Sequence, residues 1–319
     1  MTRWLALVSV LLLVPAAHAQ GYPGKPIRLI VGFPPGGGTD VMARILGPKL
    51  AETLGQAIVI ENRPGAASTI AADLTAKAPP DGYTLTLGHV NAHAIAPGIF
   101  PKLPYDAERD LAPVAQIAIS PNLLVVHPAF AVKTVADIVA RARAQPGRVI
   151  CGSAGSGSTQ HLSLELLKSM AKVDILHVPY KGSGPLIADL IGGQVMMSFD
   201  SSAAIAPHIK SGRVLPIAIT GAKRSAAFPD LPTVAESGFP GYEVYTWWGL
   251  FGPAGMPRPV VERLHTALTG ALRAPDVVAK LGELGADPVG STPEQFAAFV
   301  KSEIAKWGRV VRESGAKID

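Results

Sequence analysis

Two short stretches carry the residue types from which an anion site can be built. "FPPGGGTD" (33–40) and "SAGSGSTQH" (153–161) each follow an apolar strand-like run and each lead into a helix-like one. A glycine-rich turn at a helix start exposes unpaired backbone N–H groups backed by the helix dipole, so it attracts carboxylate or phosphate. Glycine also lets the backbone approach a ligand closely, and Gly37 and Gly157 are the positions where that approach is expected to matter most. The cofactor-binding versions of such turns fail on their own spacing. Gly152 and Gly157 have the Walker A separation, but Ser158 stands where lysine is needed. Gly155 and Gly157 are followed by Gln160, and Gly36 and Gly38 by Val41, where a dinucleotide turn needs a third glycine. No Gly-x-Ser-x-Gly nucleophile elbow occurs in the serine-rich turn. What remains is an unspecialised cradle suited to a carboxylate, or a pair of plain strand-to-helix connectors.

Other chemistry-bearing residues are weaker candidates. His89 and His93 are four apart, without the glutamate or third ligand of a zinc site. They read as polar residues near a cleft, and His89 and Asn91 join the candidate binding set on that ground. His161 lies in the first turn after the second glycine run, where it donates to an anion or supports the helix start. Asp200 ends the apolar strand "VMMSFD", facing the cleft or ordering the next turn. Trp247 and Trp248 alternate along a strand, so one indole is expected toward the cleft and the other toward a core, and Trp247 is taken as the cleft residue. Cys151 lacks an adjacent histidine or acid and reads as packing. No metal, cofactor or catalytic residue is assigned.

The elements that must position these residues alternate. "IRLIVGF", "AIVIENR", "YTLTLGH", "RVICGS", "DILHVPY", "VMMSFD" and "VLPIAIT" read as strands. Helical stretches stand between most of them, including "GAASTIAADLTAKA", and the C-terminal third is helical. That pattern predicts an α/β protein with mostly parallel sheets. Thr39 or Asp40 is expected to cap the first helix, Ser158 or Thr159 a later one, and Thr134 with Asp137 a third. The two glycine turns open similar strand–turn–helix–strand units, one per expected domain. Ligands of open α/β sheets gather beyond the carboxyl ends of such strands.

Composition narrows the class. The chain begins with Arg3, an apolar run from Trp4 to Ala16, and Ala17-His18-Ala19. That is the layout of a secretory signal peptide (1–19), too short to span a membrane comfortably. Cys151 is the only cysteine, which excludes an internal disulfide and a lipid-anchoring cysteine at the cut. The formal charge of +5 falls to +4 once Arg3 leaves, and the charges are interspersed, which argues against a nucleic-acid partner.

Five segments together resemble the Bug (TctC-type) receptors, the extracytoplasmic solute-binding proteins of tripartite tricarboxylate transporters. They are "YPGKPIRLIVGFPPGGGTDVMARIL", "ENRPGAASTIAADLTAKAPPDGYTL", "VICGSAGSGSTQHLSLELL", "HVPYKGSGPLIADLIGGQVMMSFD" and "WWGLFGPAGMPRPVVERL". The resemblance runs from Tyr22 to the C-terminus. It implies a two-domain periplasmic-binding-protein-like fold of type II, with two crossing strands near "PNLLVVHP" and "VYTWWGLF". Residues 20–123 with 248–319 would form one domain and 124–247 the other. It further implies a small carboxylate ligand (a di- or tricarboxylate, an acidic amino acid or an aromatic acid) held between the glycine loops. Carried over by motif, the binding residues are Phe33, Pro34, Gly36, Gly37, Gly38, Thr39 and Asp40, then Ser153, Ser156, Gly157, Ser158, Thr159 and His161. "VPYKG" adds Tyr180, Lys181 and Gly182, and "FDSS" adds Asp200 and Ser201. Backbone N–H groups from Gly36 to Thr39 are expected to hold the carboxylate. Asp40, which would repel an anion, is expected to order its loop or to receive a ligand's amino group. The implied partners are the small and large membrane subunits of such a transporter, with the receptor a periplasmic monomer. A secreted α/β hydrolase using the same cleft is the alternative, and a structural or adhesive protein leaves two matched turns without a purpose. N-terminal sequencing of exported protein should begin at Gln20; retention of Met1 would overturn the signal-peptide reading.

Overall fold

The structure is a computed structural model that describes residues 21–314 and 316; the leader and its cleavage junction lie outside the described residues. In chain order the elements are β1 (Ile27–Val31), α1 (Gly38–Leu54), β2 (Ile58–Asn62), α2 (Thr69–Ala76), β3 (Thr84–His89), α3 (Ala96–Ile99) and β4 (Leu111–Val126). Then come α4 (Val135–Ala144), β5 (Ile150–Ser153), α5 (Thr159–Ala171), β6 (Leu176–Pro179), α6 (Ser183–Ile191), β7 (Met197–Ser201) and α7 (Ser202–Lys210). The chain closes with β8 (Leu215–Ile219), β9 (Tyr245–Pro253), α8 (Arg258–Arg273), α9 (Pro275–Glu283), β10 (Asp287–Pro288) and α10 (Pro293–Ser314).

The strands form one curled mixed sheet in the order β2-β1-β3-β9-β4-β7-β5-β6, with β8 and β10 also paired to β4. Parallel sets sit at each end, β1 with β2 and β3, and β5 with β6 and β7. Antiparallel β9 and β4 join them. Strand β4 is long because its sequence is almost continuously apolar, and nearly all of it is buried. Its first part, to Pro121, pairs with β9, and from Asn122 onward it pairs with β7, with β8 alongside from Leu123. Proline supplies no ladder donor, so the change of partners falls where pairing is weakest.

The helix starts follow local chemistry in part. Thr134 and Asp137 form the expected reciprocal cap of α4, and the Ser158 side chain accepts from His161 N–H at the start of α5. Helix α1 differs. Its cap position is Gly37, without a side-chain cap, and Asp40 reaches back to the loop instead. The largest departure lies in "GAAST", expected to be helical. Ala66, Ala67 and Ser68 have φ of 45°, 51° and 77°, a single left-handed turn that delays α2 to Thr69. Alanine favours the right-handed helix locally, so tertiary contact imposes this turn. Gly32, directly after β1, lacks the Cβ that would otherwise meet the Ser68 backbone.

Adjacent Trp247 and Trp248 point to opposite faces of β9, as a pleated strand requires. Trp247 packs edge-on against Phe296 and Phe299, and its indole N–H donates to Glu303 at 3.0 Å. Trp307 donates to the same Glu303 oxygen at 2.9 Å. Glu303 is buried, so one carboxylate serves two indoles that fix α10 to the sheet. Removing it in Glu303→Ala strands two buried donors, at roughly 1–3 kcal/mol each. Urea denaturation should show a loss of about 2–6 kcal/mol, with ligand affinity of the folded fraction preserved.

Candidate functional site

The glycine loops meet across a closed seam. A Cβ added at Gly182 would stand 2.6 Å from Pro34 Cδ, one added at Gly184 3.0 Å from Pro35 O, and one added at Gly38 2.6 Å from Ser201 Oγ. At the other end, a Cβ on Gly157 would lie 3.2 Å from Ile99 Cγ2 and 3.5 Å from Phe100 Cε2. Gly182 and Gly157 also have φ of +114° and +79°, a region costly to other residues. Gly37 is different from the sequence expectation: its φ is −76°, and an added Cβ makes only ordinary contacts.

Between these contacts lies a cavity of about 330 Å³. Its wall joins Phe33, the left-handed turn at residues 65–68, Phe100, the Ala154–Ser156 segment and Pro179–Gly182. Of the expected residues, Phe33, Ser156, Tyr180, Lys181 and Gly182 line it. The sequence reading missed Ala66, Ala67, Ser68 and Phe100. The only signal was Pro64-Gly65 ahead of the turn, masked by the helix-favouring alanines. In the turn, Ser68 N–H closes onto Gly65 O, which leaves the Ala66 and Ala67 N–H groups without acceptors inside the turn. Three non-glycine residues in the left-handed region cost of order 1–2 kcal/mol each. Backbone strain of this kind collects at ligand sites.

Behind Phe33 is a second, smaller hollow of about 10 Å³, bordered by Gly37, Gly38, Thr39, His89, Gln160, Ser183, Ser201 and Trp248. That is room for about one water. Of the Gly36–Thr39 amides expected to hold a carboxylate, two are engaged by the protein itself. Gly36 N–H donates to Asp40 at 3.0 Å, and Gly37 N–H to Pro34 O at 3.3 Å. Asp40 also accepts from Arg44 at 2.8 Å and Asn62 at 3.0 Å, which decides for loop ordering. Burial alone would raise its pKa, but the Arg44, Asn62 and Gly36 hydrogen bonds hold the carboxyl below its usual range.

Several of the remaining expected residues are engaged by other groups of the protein. Trp247 faces the Phe296 side, away from both cavities, and Trp248 borders the hollow, donating to Thr39 Oγ1 at 3.1 Å. The indole assignment is therefore reversed, because alternation fixes opposite directions but not which residue goes where. Gly157 N–H donates to His161 Nδ1, Thr159 N–H to Asn91 Oδ1, and Gly155 N–H to Ser153 Oγ. His161 stacks on His177 at 4.1 Å. Ser153 Oγ is 2.6 Å from His177 Nε2, but Ser153 is fully buried and lines neither cavity. Burial holds His89 and His93 neutral, down to about 3, and pushes the Cys151 thiol up to about 12. Among the described residues no group of three or more His, Cys, Asp or Glu could hold a metal.

Asp200 is fully buried and lies one layer behind the hollow. Its Oδ1 accepts from Ser183 Oγ at 2.7 Å, Ser201 N–H at 2.8 Å and Gln160 Nε2 at 3.3 Å. Its Oδ2 has no hydrogen-bond partner among the described residues.

Mixed parallel and antiparallel strands with two glycine loops at one seam are the architecture of a two-domain protein of the periplasmic-binding-protein kind. The tripartite tricarboxylate transporter family receptor profile (TctC) matches residues 42–316. Protein BugT of Bordetella pertussis is 38% identical over 323 residues, covering 100% of this chain and 99% of that protein. A Rhodopseudomonas palustris protein solved with adipate is 40% identical with a TM-score of 0.91, over 93% of this chain and 100% of its own. MatC from the same organism, solved with bound malate, is 38% identical with a TM-score of 0.87, over 91% and 100% of the two chains. The chain belongs to the TctC family of tripartite tricarboxylate transporter receptors.

Asp200 gives the site a pH signature. Desolvation pushes its carboxyl up to about 6, against the hydrogen bonds from Ser183, Gln160 and Ser201. Between the ordinary carboxylate value near 4 and about 6 the folded chain binds more protons than the unfolded one. Asp200 therefore contributes a fall in stability as pH rises through that window, of order 3 kcal/mol. Denaturation at pH 4 to 7 should show this slope in the native protein and a flatter profile in Asp200→Asn.

Proposed function

We propose that the protein is a periplasmic, non-enzymatic receptor that captures a small carboxylate between two domains and delivers it to the membrane subunits of a tripartite tricarboxylate-type transporter. The observation that carries this reading is the 330 Å³ cavity lined by loops from both ends of the sheet. The volume is at the small end of ligand pockets, about 300–1,000 Å³. Lys181 is the one cationic side chain in its wall, which contains no Asp, Glu or His. A carboxylate there meets the Lys181 charge, the Ser68 and Ser156 hydroxyls and the unengaged amides of the left-handed turn. Adipate and malate, found with the two relatives, have the matching chemistry. The serines and lysine of this wall have no histidine or carboxylate beside them in it to act as a base, which supports binding without turnover.

The division we assign is residues 20–123 with 248–319 as one domain and 124–247 as the other, the chain crossing on β4 and at the start of β9. Residues 1–19 direct export and are removed, and the mature protein acts as a monomer. Closure then brings Gly182 onto Pro34 and Gly157 onto Ile99 and Phe100. Because closure needs those bare glycines, Gly182→Val should weaken binding by about 5- to 150-fold, the overlap with Pro34 costing about 1–3 kcal/mol. Calorimetry with a panel of di- and tricarboxylates, acidic amino acids and aromatic acids tests the reading. At least one acid should bind, its fully esterified form should not, and no product should accumulate. Binding that survives esterification, or turnover of the bound acid, would overturn it.

A further inference from the structure

We propose that Phe100 is a specificity-determining partition: its ring ends the ligand cavity, and its removal joins that cavity to a second one that admits longer apolar chains. The inference rests on the receptor reading above. Phe100 borders both the 330 Å³ cavity and a neighbouring one of about 490 Å³. No other residue is shared between the two walls.

The backbone that carries Phe100 is held in place. Its N–H donates to Ala96 O at 3.0 Å, closing α3. Gly98 lies so near α10 that an added Cβ would stand 3.0 Å from Gly308 Cα. Buried Ile99 and the Phe100 ring both rest on Gly157 across the seam. A side chain on so fixed a backbone leaves a hole when truncated, because its surroundings relax only partly. The partition is therefore the ring itself.

The second cavity has a definite chemistry. Its wall has an apolar, stiff part that includes Pro97, Pro101, Leu103 and Ile304. It also carries Asp106, Glu108 and Asp110 against a single Arg109, whose guanidinium is engaged by Asp106 at 2.8 Å. An apolar tail passing Phe100 is welcome there. A second carboxylate at the end of the tail meets three acids and is repelled. Phe100 thus sets the chain length of the bound acid, and the acidic rim restricts any extension to tails that end without negative charge.

Calorimetry on the ligand-free native protein, Phe100→Ala and Phe100→Leu, with adipate, suberate and octanoate, tests this. The native protein should favour adipate over the two eight-carbon acids. Each methylene given apolar cover contributes about fourfold, so in Phe100→Ala the octanoate-to-adipate affinity ratio should rise about tenfold or more. Suberate should gain less than octanoate, and Phe100→Leu should stay near the native ratios. A cooperatively folding Phe100→Ala that binds adipate and keeps the native ratios would overturn the partition and leave the receptor reading intact. A native protein that binds none of the three, nor any acid of the wider panel, would remove the receptor reading and the partition with it.

Discussion

Strand β4 is the constraint on which the rest of the molecule depends. It belongs to both parallel sets through its antiparallel neighbours, and its residues are buried along almost the whole length. A strand in that position cannot shift register by one residue without turning its apolar side chains to the wrong face. The change of partners at Pro121 and Asn122 is stitched by side chains. Asn122 Oδ1 accepts from Thr246 Oγ1 at 2.8 Å, its Nδ2 donates to Ser163 Oγ at 3.3 Å, and its backbone pairs with Thr220. Thr246 also contacts Thr159 Oγ1, so the start of α5 is registered to the place where the chain crosses. The position of the second glycine loop is in this way tied to the central strands.

The cavity wall is made largely of backbone and small side chains, and its polar groups are sorted with economy. Several N–H groups of the two glycine loops are taken by their own neighbourhood: Gly36 by Asp40, Gly155 by Ser153, Gly157 by His161, Thr159 by Asn91. These bonds hold the loops in shape. The left-handed turn at 66–68 adds to the wall a backbone held in a conformation that alanine and serine rarely adopt. A rigid, partly strained wall limits reorganisation on binding, which is how a small site gains affinity without many contacts.

Charge follows the same division. Asp40 and Asp200 are both buried near the seam, yet neither lines the larger cavity. Asp40 is neutralised by Arg44 and holds the first loop to Asn62 and thus to β2. Asp200 holds Ser183 and Gln160, which form the far side of the small hollow. Both carboxylates act on the shape of the loops, and Lys181 remains the cation in the wall.

Much of this was readable from residue order. Strand and helix alternation set the α/β class, Ser158 and the Thr134–Asp137 pair marked helix starts, and the five motif segments pointed to the receptor family. These are local signals: hydrophobic period, capping geometry and turn composition act within a few residues of one another. The left-handed turn, the exchange of Trp247 for Trp248 and the place of Phe100 in the cavity walls were not readable. "GAAST" looks helical because alanine favours helices, and the left-handed turn there packs Ser68 close against the bare backbone of Gly32. Alternation said that the two indoles part company, but Glu303 on α10 and Thr39 on α1 chose their directions. Phe100 gained its place from Gly157 and Gly308, distant in the chain and adjacent in space. Sequence determined the elements and their chemistry through short-range preferences. Which atoms face the cavity was decided by contacts between residues far apart in the chain, and no local preference encodes those.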